Sequence, residues 1–379
     1  MTSARMNRRE VLVGLAALGI AGIGVSVAAC RRDGVDPPDR GKILADLSAL
    51  VIVPAYGDAA VFASALENAV TSLKDAPATD SFARAREAWK QARRAWKMTD
   101  AFLFGPADDL ALTGGIIDTA ADSAKIEALV LNSTALDVDA VSRLGANMRG
   151  FGGLEVLLFD PAKDDGVMLA AFQAEGRRRG ALAALLAADL RAKIDAVSAA
   201  WSQAPNGYAN QLTQAGRGSS TYTSERQGVD AVVNALIGAA EVLLALRLAK
   251  PLGLDQSPVA AAPELTESPR SDVSVDDVLA VLDGIEMVYL GQRGDAHGLP
   301  LADAVAERSP RADTKLRSDL EKAKEAVRAI PGPLRTAVVE RRDPVVAAHA
   351  AVREVKRSLV TDVAGALGTS IGFNVTDGD

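Results

Sequence analysis

From Ile43 almost to the end of the chain, apolar residues recur every three or four positions, the spacing of helices that bury one stripe and wet the other. This periodicity predicts helices over 43–53 and on past Pro54 to 74, then over 79–103, 136–158 and 166–201. A second group is predicted over 224–250, 274–290, 311–329 and 333–365. Between the groups lies SQAPNGYANQLTQAGRGSSTYTS, residues 202–224, polar and full of turn formers, and it marks the candidate boundary. A proline-rich loop, PLGLDQSPVAAAPELTESPRSD, interrupts the second group. The expected fold is all-α, with two four-helix-bundle-like domains packed side by side, residues 42–205 and 206–379.

One stretch breaks the pattern. RGFGGLEVLLFD, residues 149–160, reads as a buried helix through Leu154, Val156, Leu157, Leu158 and Phe159, yet it opens with Gly150, Gly152 and Gly153. A glycine inside a helix costs roughly 1 kcal/mol relative to alanine, so an adjacent pair requires a reason. Glu155 is an acid in the middle of the same apolar run, and a buried carboxylate needs a donor, a cation or a proton. Upstream, Trp89, Arg93, Trp96 and Asp100 follow one another at spacings of four, three and four, which puts them on one helix face. Such a stripe fits either the edge of a polar pocket or a partly buried face with ion pairs.

Composition agrees with helices, since 49% of residues are hydrophobic and only 4% aromatic. The N-terminus is of a different kind. Arg5, Arg8 and Arg9 precede the apolar run VLVGLAALGIAGIGVSVAA, and Val27, Ala28, Ala29 and Cys30 fit a bacterial lipobox. Residues 1–29 therefore read as a signal peptide, NRREVLV resembles a twin-arginine export signal, and 31–41 form a linker. The alternative is a membrane-spanning anchor, for which the apolar run is long enough. Cys30 is the only cysteine, so no disulfide can form within the chain, and lipidation is its expected fate. Without the leader the formal charge falls from −7 to −9, a surface poor at neutralising phosphates, and nucleic acid is excluded as a partner.

Several catalytic classes lack their residues. Helical zinc peptidases need two histidines one turn apart with a glutamate beside them, whereas His297 and His349 are separated by 52 residues. The spacing G-x-S-x-G occurs as GTSIG at 368–372, in the C-terminal tail and not in the strand–turn–helix setting of a nucleophile elbow, and no phosphate-binding GxxxxGK[ST] loop is present.

Five segments, in order, carry a resemblance: VIVPAYGDAAVFASAL, AWKQARRAWKMTDAFLFGP, RGFGGLEVLLF, ESPRSDVSVDDVLAVLDGIEMVYLG and LGTSIGFNVTDGD. Together they resemble the imelysin-like family, named for an insulin-cleaving membrane protease and including envelope proteins linked to iron uptake. The resemblance implies two four-helix bundles with these segments meeting between them. The family's central motif is GxHxxE; Gly150 and Glu155 match its glycine and glutamate, while Gly152 stands in place of its histidine. A lone carboxylate beside empty space is the expected result, with Glu155 as the candidate metal ligand. Asp100 replaces a family glutamate, Glu267, Ser268, Arg270 and Ser271 match the family's E-S-x-x-S region, and Asp377 and Asp379 match its acidic tail.

The candidate ligand-binding residues implied by this resemblance are Asp100, Glu155, Glu267, Arg270 and Ser271, with iron as the candidate cofactor or cargo and no catalytic set assigned. The leading expectation is a non-catalytic envelope lipoprotein, anchored to the membrane through Cys30 and facing the periplasm, that helps take up iron or an iron-bearing ligand. Two alternatives stay open: an imelysin-type peptidase working around Glu155, and a degenerate scaffold that holds an envelope protein partner.

Overall fold

Phe82, Ala85, Trp89, Ala92 and Trp96 are buried at helical spacing along one segment, and much of the molecule is arranged around that stripe. The computed structural model describes residues 39–109, 117–174, 177–202, 206–255 and 259–372. The signal peptide, Cys30, nearly all of the linker, and Asp377 and Asp379 lie outside the described residues.

The main helices are α1 (Arg40–Asp46), α2 (Val53–Asp75), α3 (Thr79–Met98), α4 (Ser123–Leu131), α5 (Gly150–Leu158) and α6 (Arg178–Ser202). They are followed by α7 (Glu225–Val242), α8 (Ser274–Leu290), α9 (Pro310–Arg328) and α10 (Arg342–Arg357). Two short strands, β1 (Gln292–Arg293) and β2 (Ala296–His297), make an antiparallel hairpin after α8. The all-α expectation stands, with this hairpin as its small exception. Three stretches wind as π-helix, Leu47–Ile52 between α1 and α2, Leu243–Ala249 after α7, and Ser358–Val363 after α10.

α2 packs against α3 and α6, and α5 lies on α6 and α3; later in the chain α9 packs on α10 and α8, and α7 on α10 and α8. Two sets of four helices are therefore present, but α3 and α8 pack on each other and α1 packs on α7. The described residues cluster as one compact unit. The expected boundary loop is itself tied down: Tyr208 and Tyr222 share a hydroxyl hydrogen bond of 2.9 Å, and Gln211 Oε1 accepts from Ser219 Oγ at 2.8 Å.

Three predicted helices are broken, and one of them, 166–201, is Asp165–Gln173 followed by α6 from Arg178. The span 136–158 divides into Val138–Ser142, a 3₁₀ turn at Ala146–Met148, and α5, because Gly150 takes φ +64° and turns the chain into a new axis. The span 333–365 divides at Arg341, upstream of Pro344, whose missing N–H cannot continue a helix from Leu334–Glu340. Helices outside the predicted set include α4 and short ones at Pro106–Asp109, Ala209–Thr213 and Leu301–Arg308.

Candidate functional site

Gly150, Gly152 and Gly153 answer to three separate constraints. Gly150 supplies the left-handed turn that starts α5. A Cβ on Gly153 would lie 2.7 Å from the Met148 carbonyl oxygen, and one on Gly152 would lie 2.6 Å from that of Thr119. The loop carrying Thr119 is pinned there, since the Phe151 N–H donates to the Ile117 carbonyl at 3.0 Å and Asp122 N–H to the Asn147 carbonyl at 2.8 Å. Backbone therefore fills the place a side chain at 152 would take, so the space beside Glu155 is not simply the room a histidine would occupy.

Glu155, one turn further on, is 4% exposed and faces the turn that precedes α8. Its Oε1 accepts from Ser271 Oγ at 2.6 Å, Ser271 N–H at 2.8 Å and Arg270 N–H at 3.1 Å. Asp272 makes this convergence possible by adopting φ +61°, a conformation unusual outside glycine, and Arg335 Nε holds its carboxylate at 2.7 Å. Burial raises the Glu155 pKa above the ordinary value, outweighing the hydrogen bonds from Ser271 that favour the charged form.

Behind this clasp lies an ionic cluster. Arg93 Nε donates to both oxygens of Asp277 at 3.1 and 2.9 Å, and its Nη1 donates to Asp118 at 2.9 Å. Lys97, fully buried one turn along α3, contacts Asp100, Asp118 at 2.8 Å and Glu267 at 3.0 Å. Arg247, from the π-helical turn after α7, reaches Glu267 at 2.7 Å. Ser268 Oγ donates to Asp277 at 2.6 Å, which ties the 267–272 turn to the first turn of α8.

Four carboxylates thus meet three cations. Burial alone would discharge Arg93, but Asp118, Asp277 and Glu267 hold its pKa well above the ordinary value. Burial would likewise raise Asp118, yet Arg93, Lys97 and Arg247 keep it well below the usual carboxylate range. Asp100 and Glu267 go the other way: burial raises both, against the pull of Lys97 on Asp100 and of Arg247 and Lys97 on Glu267.

A cavity of about 300 Å³ opens on this assembly. Its walls include Trp89, Arg93, Asp118, Gly152, Glu155 and Arg247. Of the predicted binding residues, Glu155, Glu267 and Arg270 line it, whereas Asp100 and Ser271 do not: Asp100 is committed to Lys97 and Ser271 to Glu155. Arg93 and Trp89 of the aromatic stripe reach the cavity, and Trp96 stays in the core against Tyr56. Lys97, Asp118, Arg247 and Asp277 were not singled out by the sequence. Neither His297 nor His349 lines the cavity.

A hard cation such as iron needs several oxygen donors converging on one point. Among the described residues no group of three histidine, cysteine, aspartate or glutamate side chains gathers in that way. Glu155 Oε1 is occupied by N–H and O–H donors, and Glu267 and Asp118 are surrounded by Arg93, Lys97 and Arg247. This donor set does not fit an iron ion ligated directly by the protein through Glu155.

A family model described as imelysin, peptidase M75, matches residues 52–361. The chain is 26% identical over 354 residues to iron-regulated protein A of Synechococcus elongatus, covering 91% of each. A crystal structure described as that of an iron-regulated protein A precursor from Parabacteroides distasonis superposes with a TM-score of 0.75 at 20% identity, over 89% of this chain and 97% of that one. An imelysin-like protein from Psychrobacter arcticum gives 0.70 at 18% identity, over 90% and 99%. At these identities the two structures establish a shared helical fold.

Proposed function

Because the chain belongs to the imelysin family, we propose that it is a non-catalytic binding protein of the bacterial cell envelope, lipid-anchored at Cys30, that helps take up an iron-bearing ligand. The observation that carries this reading is the use made of Glu155. A carboxylate that activates water must be free to accept its proton. Here Oε1 receives three donors from Arg270 and Ser271, and the turn so held delivers Glu267 and Arg270 to the cavity wall. Glu155 builds a binding site.

Iron as cargo is supported by the Synechococcus elongatus relative, which is called iron-regulated protein A. The donor set favours iron that arrives on a carrier molecule over the bare ion. The leader, with its lipobox and lone cysteine, supports export and anchoring. The peptidase alternative has the family's name behind it, but among the described lining residues no nucleophile is hydrogen-bonded to a histidine base.

Calorimetric titration of the intact protein with ferric citrate, haem and ferric ion tests this reading. Saturable binding of an iron-bearing probe, lost in Glu155→Ala, is expected. No saturable binding by any of the three overturns it, and cleavage of an unfolded protein substrate abolished by Glu155→Gln would install the peptidase in its place.

A further inference from the structure

The hydrogen-bond donors left over at the cavity, once the pairs in its walls have been made, belong to cationic side chains. Asp118 and Glu267 each contact Arg93, Lys97 and Arg247, so the deep acids are already met. At the mouth, Lys250 has no ion pair among the described residues, and Arg270 reaches Asp160 only at 3.9 Å. Glu264 is the only exposed acid among the described lining residues.

Deeper in the wall, two guanidinium groups have donors to spare. Arg247 Nε is buried with no hydrogen-bond partner among the described residues. Arg93, 2% exposed, has its Nη2 at 3.1 Å from Glu267 without an aligned hydrogen bond. A buried N–H left unmade costs free energy, and native proteins keep few of them. Arg247 is also carried on a π-helical turn, a distortion that recurs where a helix serves a functional site. The remaining wall, with Trp89 and Leu246, is apolar and fits a short carbon skeleton.

We infer that the cavity recognises its ligand through carboxylate groups, taking a small polycarboxylate anion between the Arg247 and Arg93 guanidinium groups and the Lys250 and Arg270 side chains at the mouth. Guanidinium forks match carboxylates in geometry as well as charge. Resting on the iron-uptake reading, the anion is a hydroxycarboxylate chelator, and the protein grips the chelator while the metal rides on it. Iron-free chelator therefore binds too.

The test is calorimetry of the intact protein and of a Lys250→Gln/Arg270→Gln double variant against metal-free citrate, ferric citrate, haem and inorganic phosphate. Both altered residues sit at the mouth, so the variant keeps the buried cluster. Metal-free citrate should compete with ferric citrate, both should weaken at least about tenfold in the variant, and affinity should fall as salt rises. If ferric citrate or haem binds while metal-free citrate neither binds nor competes, and the variant is unchanged, the carboxylate inference fails and the iron-uptake reading survives. If citrate binds but no iron-bearing probe does, the iron reading fails and the anion site stands. Phosphate binding in place of citrate overturns the carboxylate class, and no binding by any probe overturns both.

Discussion

Arg93, Lys97 and Arg247 meet four carboxylates beside a cavity, whereas Lys315, Asp319 and Ser358 close on one another away from it. In the second network Ser358 Oγ donates to Asp319 Oδ2 at 2.6 Å, and Lys315 Nζ donates to the same oxygen at 2.6 Å and to Ser358 Oγ at 2.7 Å. Lys315 answers Asp319 closely and Glu354 only at 3.9 Å, and the bonds stitch α9 to the π-helical turn after α10. The cavity-side cluster has an acid too many and an orphaned arginine N–H. A network that satisfies itself is a fastening, while one left incomplete beside a cavity has room for something to arrive.

Substitutions can break this contrast, and the largest effect is expected at Arg93. Its guanidinium is shared by Asp118, Glu267 and Asp277, so Arg93→Met should remove about 3–5 kcal/mol of stability in urea denaturation at neutral pH. A loss under about 1 kcal/mol would mean that the cluster is not a coupled unit. Gly152→His is next. Its Cβ meets the Thr119 carbonyl, and overpacking of this kind costs about 1–3 kcal/mol. Thermal melting with and without zinc checks it: a melting point raised only when zinc is present would show that the 119–121 loop yields and that a metal site can be restored.

Ser358→Ala leaves Lys315 and Asp319 paired and should cost about 1 kcal/mol, with citrate affinity unchanged. A change in affinity would erase the distinction between the two networks. Glu155→Gln gives the smallest effect, a slope with pH. Burial lifts the Glu155 pKa, so the folded state holds that proton more tightly than the unfolded chain does. The resulting stability is fully present below the ordinary value of 4.5 and is lost as pH rises through the folded value. Stability of the original protein relative to E155Q should therefore decline with pH above 4.5, and an upward trend would show Glu155 stabilised as an anion.

Much of the fold could be read from periodicity because burial follows it. The predicted helix over 274–290 is α8 to the residue, ended by Gly291 at φ +58°. Arg247 carried a readable signal, for it falls seven residues after buried Ala240 on the apolar stripe of the helix predicted over 224–250. Lys97 did as well, standing four residues after Arg93 on the stripe of α3. Glu267 and Asp118 sit on irregular segments where no period applies, so resemblance located the first and nothing located the second. Gly152 was visible as an anomaly, but its cause is a carbonyl on a separate loop, and a linear pattern holds no record of that approach.

The contact between Gly152 and Thr119 ties two distant segments of the chain to one another. With the 119–121 backbone seated against residue 152, a returning histidine would clash before it could pair with Glu155. Rerouting the loop alone would uncover a void. Residue 152 and the 119–121 loop are therefore coupled, and a GxHxxE motif needs both to change together.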